Sequence, residues 1–297
     1  MKNLLKLSTK TIPTFLEIYK AASYPKHALT CSSLKNFAVQ YERYPEFKAN
    51  LELYTLTEDW QKDGLFLMKN GPTYYFDSLE PNPYDRARKM LLDIDYSKEV
   101  VFRAVRDQFK PMMNDVFWLK NLEITNQTGT TIYFLSKEFI KNIPEQPIPK
   151  GWYFRSLTLN DLDDVKKKVV REGGDHLNYI ELSIKYKISL GLCDENGTLQ
   201  SWIYGVDVGT HGTLGVADNH KQRGVASAMG IQIAKLIVAE FDMDVVWNTE
   251  HGNDVAHLLP KRYGASDLGT VTWMAVNKRV SEKMSQMGMY QIFYPKL

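Results

Sequence analysis

The run Thr213-Leu-Gly-Val-Ala-Asp-Asn-His-Lys-Gln-Arg-Gly-Val-Ala-Ser-Ala-Met229 constrains this chain most. It reads as a short apolar strand, a polar turn and a helix that opens on Gly224. The start of a helix leaves about four backbone N–H donors without intrahelical partners. The helix dipole adds partial positive charge there, worth roughly 0.3–1 kcal/mol to an exposed anion. Such a place suits a phosphate. Gly224 has no Cβ, so the main chain can come close to a ligand. Ala226 and Ser227 keep the first turn slim, and Lys221 and Arg223 add positive charge.

Spacing separates the phosphate-binding classes that share these physics. A Walker loop requires G-x-x-x-x-G-K-[ST], which does not occur in the sequence. A dinucleotide fingerprint requires G-x-G-x-x-G, which residues 224–230 do not supply. What remains is a basic residue, two positions, Gly, one position and Ala: Lys221-x-x-Gly224-x-Ala226. Downstream, residues 245–248 read as a second apolar strand. Asn253-x-x-Ala256-x-x-Leu259 then leads to Tyr263-Gly264.

A chain of 297 residues suits two domains better than one core. Residues 142–151 carry three prolines and cannot sustain a helix or central strand, which places the boundary there. The expected division is residues 1–145 and 151–297. Before the boundary, aromatic alternating runs at 51–56, 65–68, 74–76, 116–119 and 131–135 read as strands. Residues 84–92 and 99–108 carry apolar residues at helical spacing. This half is therefore α/β or α+β, and is read as a decayed copy of the second half that lacks a Gly-rich turn of its own. After the boundary, residues 152–157 read as a strand, and Thr158 with Asp161 as a capped helix start. Residues 179–186 form the next helix. Residues 188–193 and 199–208 are paired strands joined by the turn Asp194-Glu-Asn-Gly197. Residues 214–216 feed the Gly-rich turn, and a strand at 270–276 follows. Residues from 288 on read as a closing edge strand or a joint between domains.

A net charge of +2 argues against a nucleic-acid partner. No window approaches 18 uninterrupted apolar residues, so no membrane span is expected. Cys31 and Cys193 lack any metal-like spacing and read as free buried thiols in a reducing compartment. No metal site is expected. His220 reads as a solvent-facing turn residue, while His176 and His257 have no evident partner.

The hexapeptide at 221–226 resembles the Q/R-x-x-G-x-G/A signature of the GCN5-related N-acyltransferase (GNAT) superfamily. The segment 253–264 is similar to that superfamily's N-x-x-A-x-x-L-Y-x-x-L-G-F. Val216 stands eight residues before Gly224, as the last strand residue does there. Within the superfamily the chain most resembles the glycine N-acyltransferase-like family. That resemblance rests on Gly173-Gly174-Asp175, Tyr179-Ile-Glu181, the turn 194–197 and Ser201-Trp202, and it covers residues 151–277. It implies a mixed α/β chain of two domains whose second half has the GNAT fold, with helices on both faces of a twisted sheet. It also implies an acyl-CoA cosubstrate, acetyl or longer, and a small amine acceptor such as glycine or another amino acid. The amine would attack the thioester directly in a ternary complex. Coenzyme contacts would come from Leu214, Gly215, Val216, Lys221, Gln222, Arg223, Gly224, Val225, Ala226, Ser227, Asn253 and Ala256. A backbone N–H at 214–216 would face the thioester oxygen. Glycine acyltransferases are mitochondrial, so cytoplasm and mitochondrion both stand as expected compartments.

The sequence departs from the family at both proton-transfer positions. The family's glutamate base falls on Thr210, and the superfamily's tyrosine acid falls on Pro260. His211, Asp207 and Glu250 are the nearby substitutes. His211 has a suitable ordinary pKa but would need a bulge at Gly209 or Gly212 to re-aim it. Glu250 matches an acidic family position at a strand mouth. Two other readings follow from these departures: an acyl-CoA-binding regulatory protein that has lost turnover, and a protein or peptide N-acetyltransferase.

Overall fold

The computed structural model describes residues 1, 3–45, 48–168, 175–185, 189–205, 209–221 and 224–279. In chain order the first half contains β1 (Leu5–Leu7), α1 (Ile12–Ser23), α2 (Ala28–Arg43), β2 (Leu51–Thr55), β3 (Phe66–Asn70) and β4 (Thr73–Asp77). It continues with α3 (Asp85–Leu92), β5 (Val100–Arg106), α4 (Lys110–Leu119) and β6 (Leu122–Leu135), and α5 (Lys137–Asn142) closes it. The second half contains β7 (Tyr153–Arg155), α6 (Leu162–Lys168), α7 (Asp175–Lys185), β8 (Ser189–Cys193), β9 (Leu199–Gly205) and β10 (Thr210–Val216). Then come α8 (Val225–Phe241), β11 (Val245–Glu250), α9 (Asp254–Arg262) and β12 (Ser266–Lys278). Apart from α5, one series, β-α-α-β-β-β-α-β-α-β, runs twice.

Matching local signals start both series. Ser8 accepts a hydrogen bond from Lys10 N–H ahead of α1. Thr158 and Asp161 form a reciprocal capping box ahead of α6. Arg155 donates to both oxygens of Asp161 at 2.7 Å, which ties β7 to that cap.

The twelve strands among the described residues join one sheet, in the order β1-β2-β3-β4-β5-β12-β6-β11-β10-β9-β8-β7. The last strands of the two halves have changed places. β12 lies between β5 and β6, while β6 pairs with β11 from Val245↔Leu135 to Glu250↔Thr130. The sheet therefore crosses the proline-rich stretch at 143–152, which is neither helix nor strand.

Helices cover both faces. Phe15, Leu29, Val165, Ile180 and Ile184, from α1, α2, α6 and α7, belong to one buried cluster. On the other face, α3 and α4 bury Ala87, Met90, Met113 and Val116, and α8 buries Met229, Ile233 and Ile237 beside Ile140 of α5. α8 is buried on most sides, which explains its almost unbroken apolar sequence. Each large aliphatic side chain hidden this way contributes about 1.5–3 kcal/mol.

Two sequence expectations fail in the first half. Residues 99–108 are not a helix but β5 followed by a single 3-10 turn, Asp107–Phe109. Val100, Phe102 and Ala104 are buried in alternation, and the extra valines imitate a helical period. Residues 116–119 are not a strand; they end α4, where Pro111 sits in the first turn and Met112, Met113, Val116 and Phe117 share the buried face. In the second half the helix expected at 179–186 starts earlier, at Asp175, and Tyr186 lies outside the described residues. Residues 206–208 and everything from 280 on, including the expected closing strand, also lie outside them. Cys31 and Cys193 are free and buried.

Candidate active site

Two features of the second half converge: a break in the sheet and the start of α8. β10 and β11 run parallel, but they pair only at Thr210↔Val246 and His211↔Trp247. Beyond that point they separate, so among the described residues the β11-facing edge of residues 212–216 has no strand partner. The opposite edge stays attached to β9, at Gly212↔Tyr204, Gly215↔Trp202 and Val216↔Ser201, with a register shift between Gly212 and Gly215. Thr213 takes a left-handed conformation (φ 53°) inside this bulge. A bulge increases local twist and re-aims the main chain. Here it leaves backbone groups of 213–216 facing a wedge between two splayed strands.

Gly215 is the tightest position in the wedge. A Cβ there would lie 1.9 Å from Trp202 Cζ2, because the indole crosses directly over the glycine. Ser201 Oγ donates to Gly215 O at 2.6 Å, which fixes that peptide from the β9 side.

α8 begins just beyond the wedge. Asp218–His220 make one 3-10 turn, and Gly224 at φ 78°, ψ −2° forms the N-cap. This left-handed conformation is what glycine supplies at low cost. Gly224 has no side chain to cap the helix start, no other described side chain is seen to do so, and the first intrahelical bond joins Ala228 N–H to Gly224 O at 3.0 Å. A Cβ on Gly224 would meet nothing within 4 Å. Among the described residues the amides of Val225, Ala226 and Ser227 have no side-chain acceptor, and the space in front of Gly224 is clear of described atoms. Lys221 is exposed beside them; Gln222 and Arg223 lie outside the described residues.

The structure sorts the other expected site residues. Ser227 is buried, and its hydroxyl hydrogen-bonds the Tyr263 hydroxyl, tying the first turn of α8 to the end of α9. Asn253 caps α9 by accepting from Ala256 N–H at 3.1 Å, so both residues serve first to start that helix. Glu250 is the exposed last residue of β11, opposite Thr130 of β6. The side chain of His211 and the whole of Asp207 lie outside what is described. Thr210 is 1% exposed, and its hydroxyl has no hydrogen-bond partner among the described residues. Pro260 is buried inside α9.

Two histidines differ from expectation. His220 does not face solvent; its ring packs edge-on against Trp152 at 4.6 Å. His257 has a partner, the Tyr133 hydroxyl at 2.8 Å. Burial raises the pKa of that tyrosine, and Asp267 adds to the effect.

The first half also touches the residues at the ends of β10 and β11, which the sequence did not reveal. His251 N–H donates to Gly129 O at 2.9 Å. The imidazole of the same residue would lie 2.7 Å from a Cβ on Gly129, so a larger residue there would have to push that exposed ring aside. On the other face, α2 approaches the base of β10, where Ser32 Oγ donates to Gly209 O at 2.7 Å.

No family model matches the sequence, and no curated protein matches it. Solved structures do. A Drosophila protein of known X-ray structure is 17% identical and superposes with a TM-score of 0.84, covering 94% of this chain and 99% of that one. A tandem GNAT protein from the clavulanic acid biosynthesis pathway is 12% identical with a TM-score of 0.54, covering 92% and 97%. The chain has a tandem GNAT fold. A putative acetyltransferase from Pyrococcus horikoshii agrees at a TM-score of 0.52 and 15% identity, covering 94% and 91%. The doubled series of elements is the reason: each half of the chain carries one copy, and the wedge with its helix start belongs to the second. Among the described residues no group of His, Cys, Asp or Glu is arranged to hold a metal ion, and no helix is long and apolar enough to cross a membrane.

Proposed function

We propose that the second half binds acyl-CoA and transfers its acyl group to the amine of a small acceptor. The observation that carries this reading is the pairing of a helix start on a left-handed glycine with a wedge between splayed strands. The helix start offers N–H donors and a favourable dipole to a diphosphate. The wedge offers a slot for the thioester arm, with main-chain groups of 214–216 along one wall. A donor preorganised toward a developing oxyanion is worth roughly 3–4 kcal/mol in the transition state. Positioning both reactants adds on the order of 7–11 kcal/mol. Direct attack of an amine then needs little acid–base help.

Glycine or another amino acid is the acceptor suggested by the family resemblance of residues 173–202. Glu250 is the acid–base candidate best supported by position, since it is exposed at the open end of β11. Asp207 and His211 remain candidates on sequence grounds alone.

A second reading has its own support. Thr210 and Pro260 occupy the positions of the family's proton acceptor and donor, and neither residue can fill that role. In this reading the chain binds acyl-CoA and does not turn it over. One assay separates the two: incubate the full chain with acetyl-, butyryl- and benzoyl-CoA and a panel of amino acids, and follow free thiol. Amine-dependent thiol release supports transfer. Binding with release no faster than hydrolysis supports the second reading. Faster release with peptides than with amino acids would move the acceptor class to protein or peptide amines.

A further inference from the structure

The doubled fold repeats the splayed strands and the helix start in the first half, and there the chain fills both with its own side chains. The correspondence is direct. β4 and β5 run parallel and pair only at Thr73↔Val101 and Tyr74↔Phe102 before they separate, as β10 and β11 do. α3 then starts on Tyr84 in a left-handed conformation (φ 62°, ψ 44°), the counterpart of Gly224.

Both openings are closed. At the helix start, Glu80 lays its carboxylate across the free amides. Arg86 N–H donates to its two oxygens at 2.9 and 3.2 Å, and Ala87 N–H to one of them at 3.2 Å. A carboxylate thus sits where, among the described residues, the second half places no side-chain acceptor. Four residues before Gly224, the matching position is His220, which cannot supply such an anion and is turned against Trp152. At the strand ends, Asp77 is the last residue of β4 and Arg106 the last of β5. Arg106 Nε reaches Asp77 Oδ2 at 3.1 Å across the gap, and Thr30 of α2 also donates to Asp77. Arg106 further donates to Lys26 O at 3.1 Å, which fastens the clamp to the chain entering α2. The corresponding last residues of β10 and β11 are Val216 and Glu250, which cannot form an ion pair.

We infer that the first half is a self-liganded copy: Glu80 takes the place of the diphosphate, the Asp77–Arg106 pair takes the place of the thioester arm, and the chain binds one acyl-CoA, in the second half alone. This rests on the coenzyme reading above and adds to it a stoichiometry and a location. A buried pair of this kind is hard to displace, because removing one partner strands the other charge in the interior. The first half then serves the second as structure, through β6 and α2.

The test is the number of acetyl-CoA molecules held per full-length chain, by native mass spectrometry and equilibrium dialysis. It is run on wild type, on Gly224→Glu and on Ala226→Glu, the last keeping an ordinary helical backbone should Gly224→Glu misfold. One coenzyme in wild type and none in a folded variant is the expected result. Two in wild type, or one retained in a folded variant, would show the first half open and overturn the inference while leaving the coenzyme reading standing. None in wild type would overturn the coenzyme reading, and this inference with it.

Discussion

Gly224 allows the sharpest separation of conformation from space. Its φ of 78° lies where a side chain strains the backbone, while its missing Cβ faces no atom within 4 Å. Gly224→Ala therefore meets no clash. It meets only the left-handed penalty, about 1–2 kcal/mol for an ordinary L-residue. The reduced freedom of the unfolded chain returns about 0.4–1 kcal/mol of this, leaving a net loss near 1 kcal/mol. At this chain length that lowers Tm by roughly 2 °C. Gly224→Asn should recover most of the loss, since asparagine tolerates this conformation. Coenzyme affinity should behave differently. Any side chain at 224 projects into the space in front of the α8 amides, so both variants should bind acetyl-CoA more weakly than wild type. Calorimetric unfolding and isothermal titration on the same preparations measure the two effects. An asparagine variant with wild-type stability and wild-type affinity would refute the placement of the ligand. An alanine variant with unchanged stability would refute the conformational argument.

Other outcomes follow from the same geometry. Gly215→Ala should cost about 1–3 kcal/mol through overpacking, because its Cβ would fall 1.9 Å from the Trp202 ring. A double-mutant cycle with Trp202→Leu should show much of that cost relieved, and additive losses would contradict the contact. Asp77→Ala leaves Arg106 buried without its counter-charge and should lower stability by about 3–5 kcal/mol in urea unfolding; a loss under 1 kcal/mol would disprove the clamp. Burial alone would raise the Glu52 pKa, but Lys6 and Lys69 bind its carboxylate at 2.8 and 2.7 Å and hold it down to about 2. Its folded pKa lies below the ordinary value, so its contribution is fully present above pH 4.5 and is lost as pH falls toward 2. Because the site is partly exposed, that contribution is about 1 kcal/mol or less. Glu52→Gln should flatten the stability profile across this window, and an unchanged profile would count against the pairing. Tyr263→Phe removes the partner of the Ser227 hydroxyl and should cost about 0.5–1.5 kcal/mol, measured by thermal unfolding.

The second half was legible where local chemistry sets the structure. Gly224 as a helix opener, the capped start at Thr158 and Asp161, and the turn at 194–197 all follow from short-range rules, and each is present. The first half was harder to read. Its copy of the fold replaces the signature glycine with Tyr84, and Glu80 with the Asp77–Arg106 pair replaces an open site with closed polar contacts. Nothing in sequence spacing marks a carboxylate as an internal ligand for amides six and seven residues ahead. The exchange of β6 and β12 was also hidden, because period-two alternation reveals a strand's faces and not its neighbours. Gly129 and Gly215 carried a usable signal: a lone glycine inside a strand marks close approach of another group, here His251 and Trp202. The imidazole of His257 found Tyr133 across the exchanged strand, a contact between residues too distant in sequence to foresee.

A co-crystal of the full chain with coenzyme A probes the site most directly. Diphosphate density should lie on the amides of residues 225–227, with the pantetheine arm running between β10 and β11 and the first-half helix start still occupied by Glu80. Density at α3 in place of α8, or an empty wedge at saturating coenzyme, would contradict the assignment.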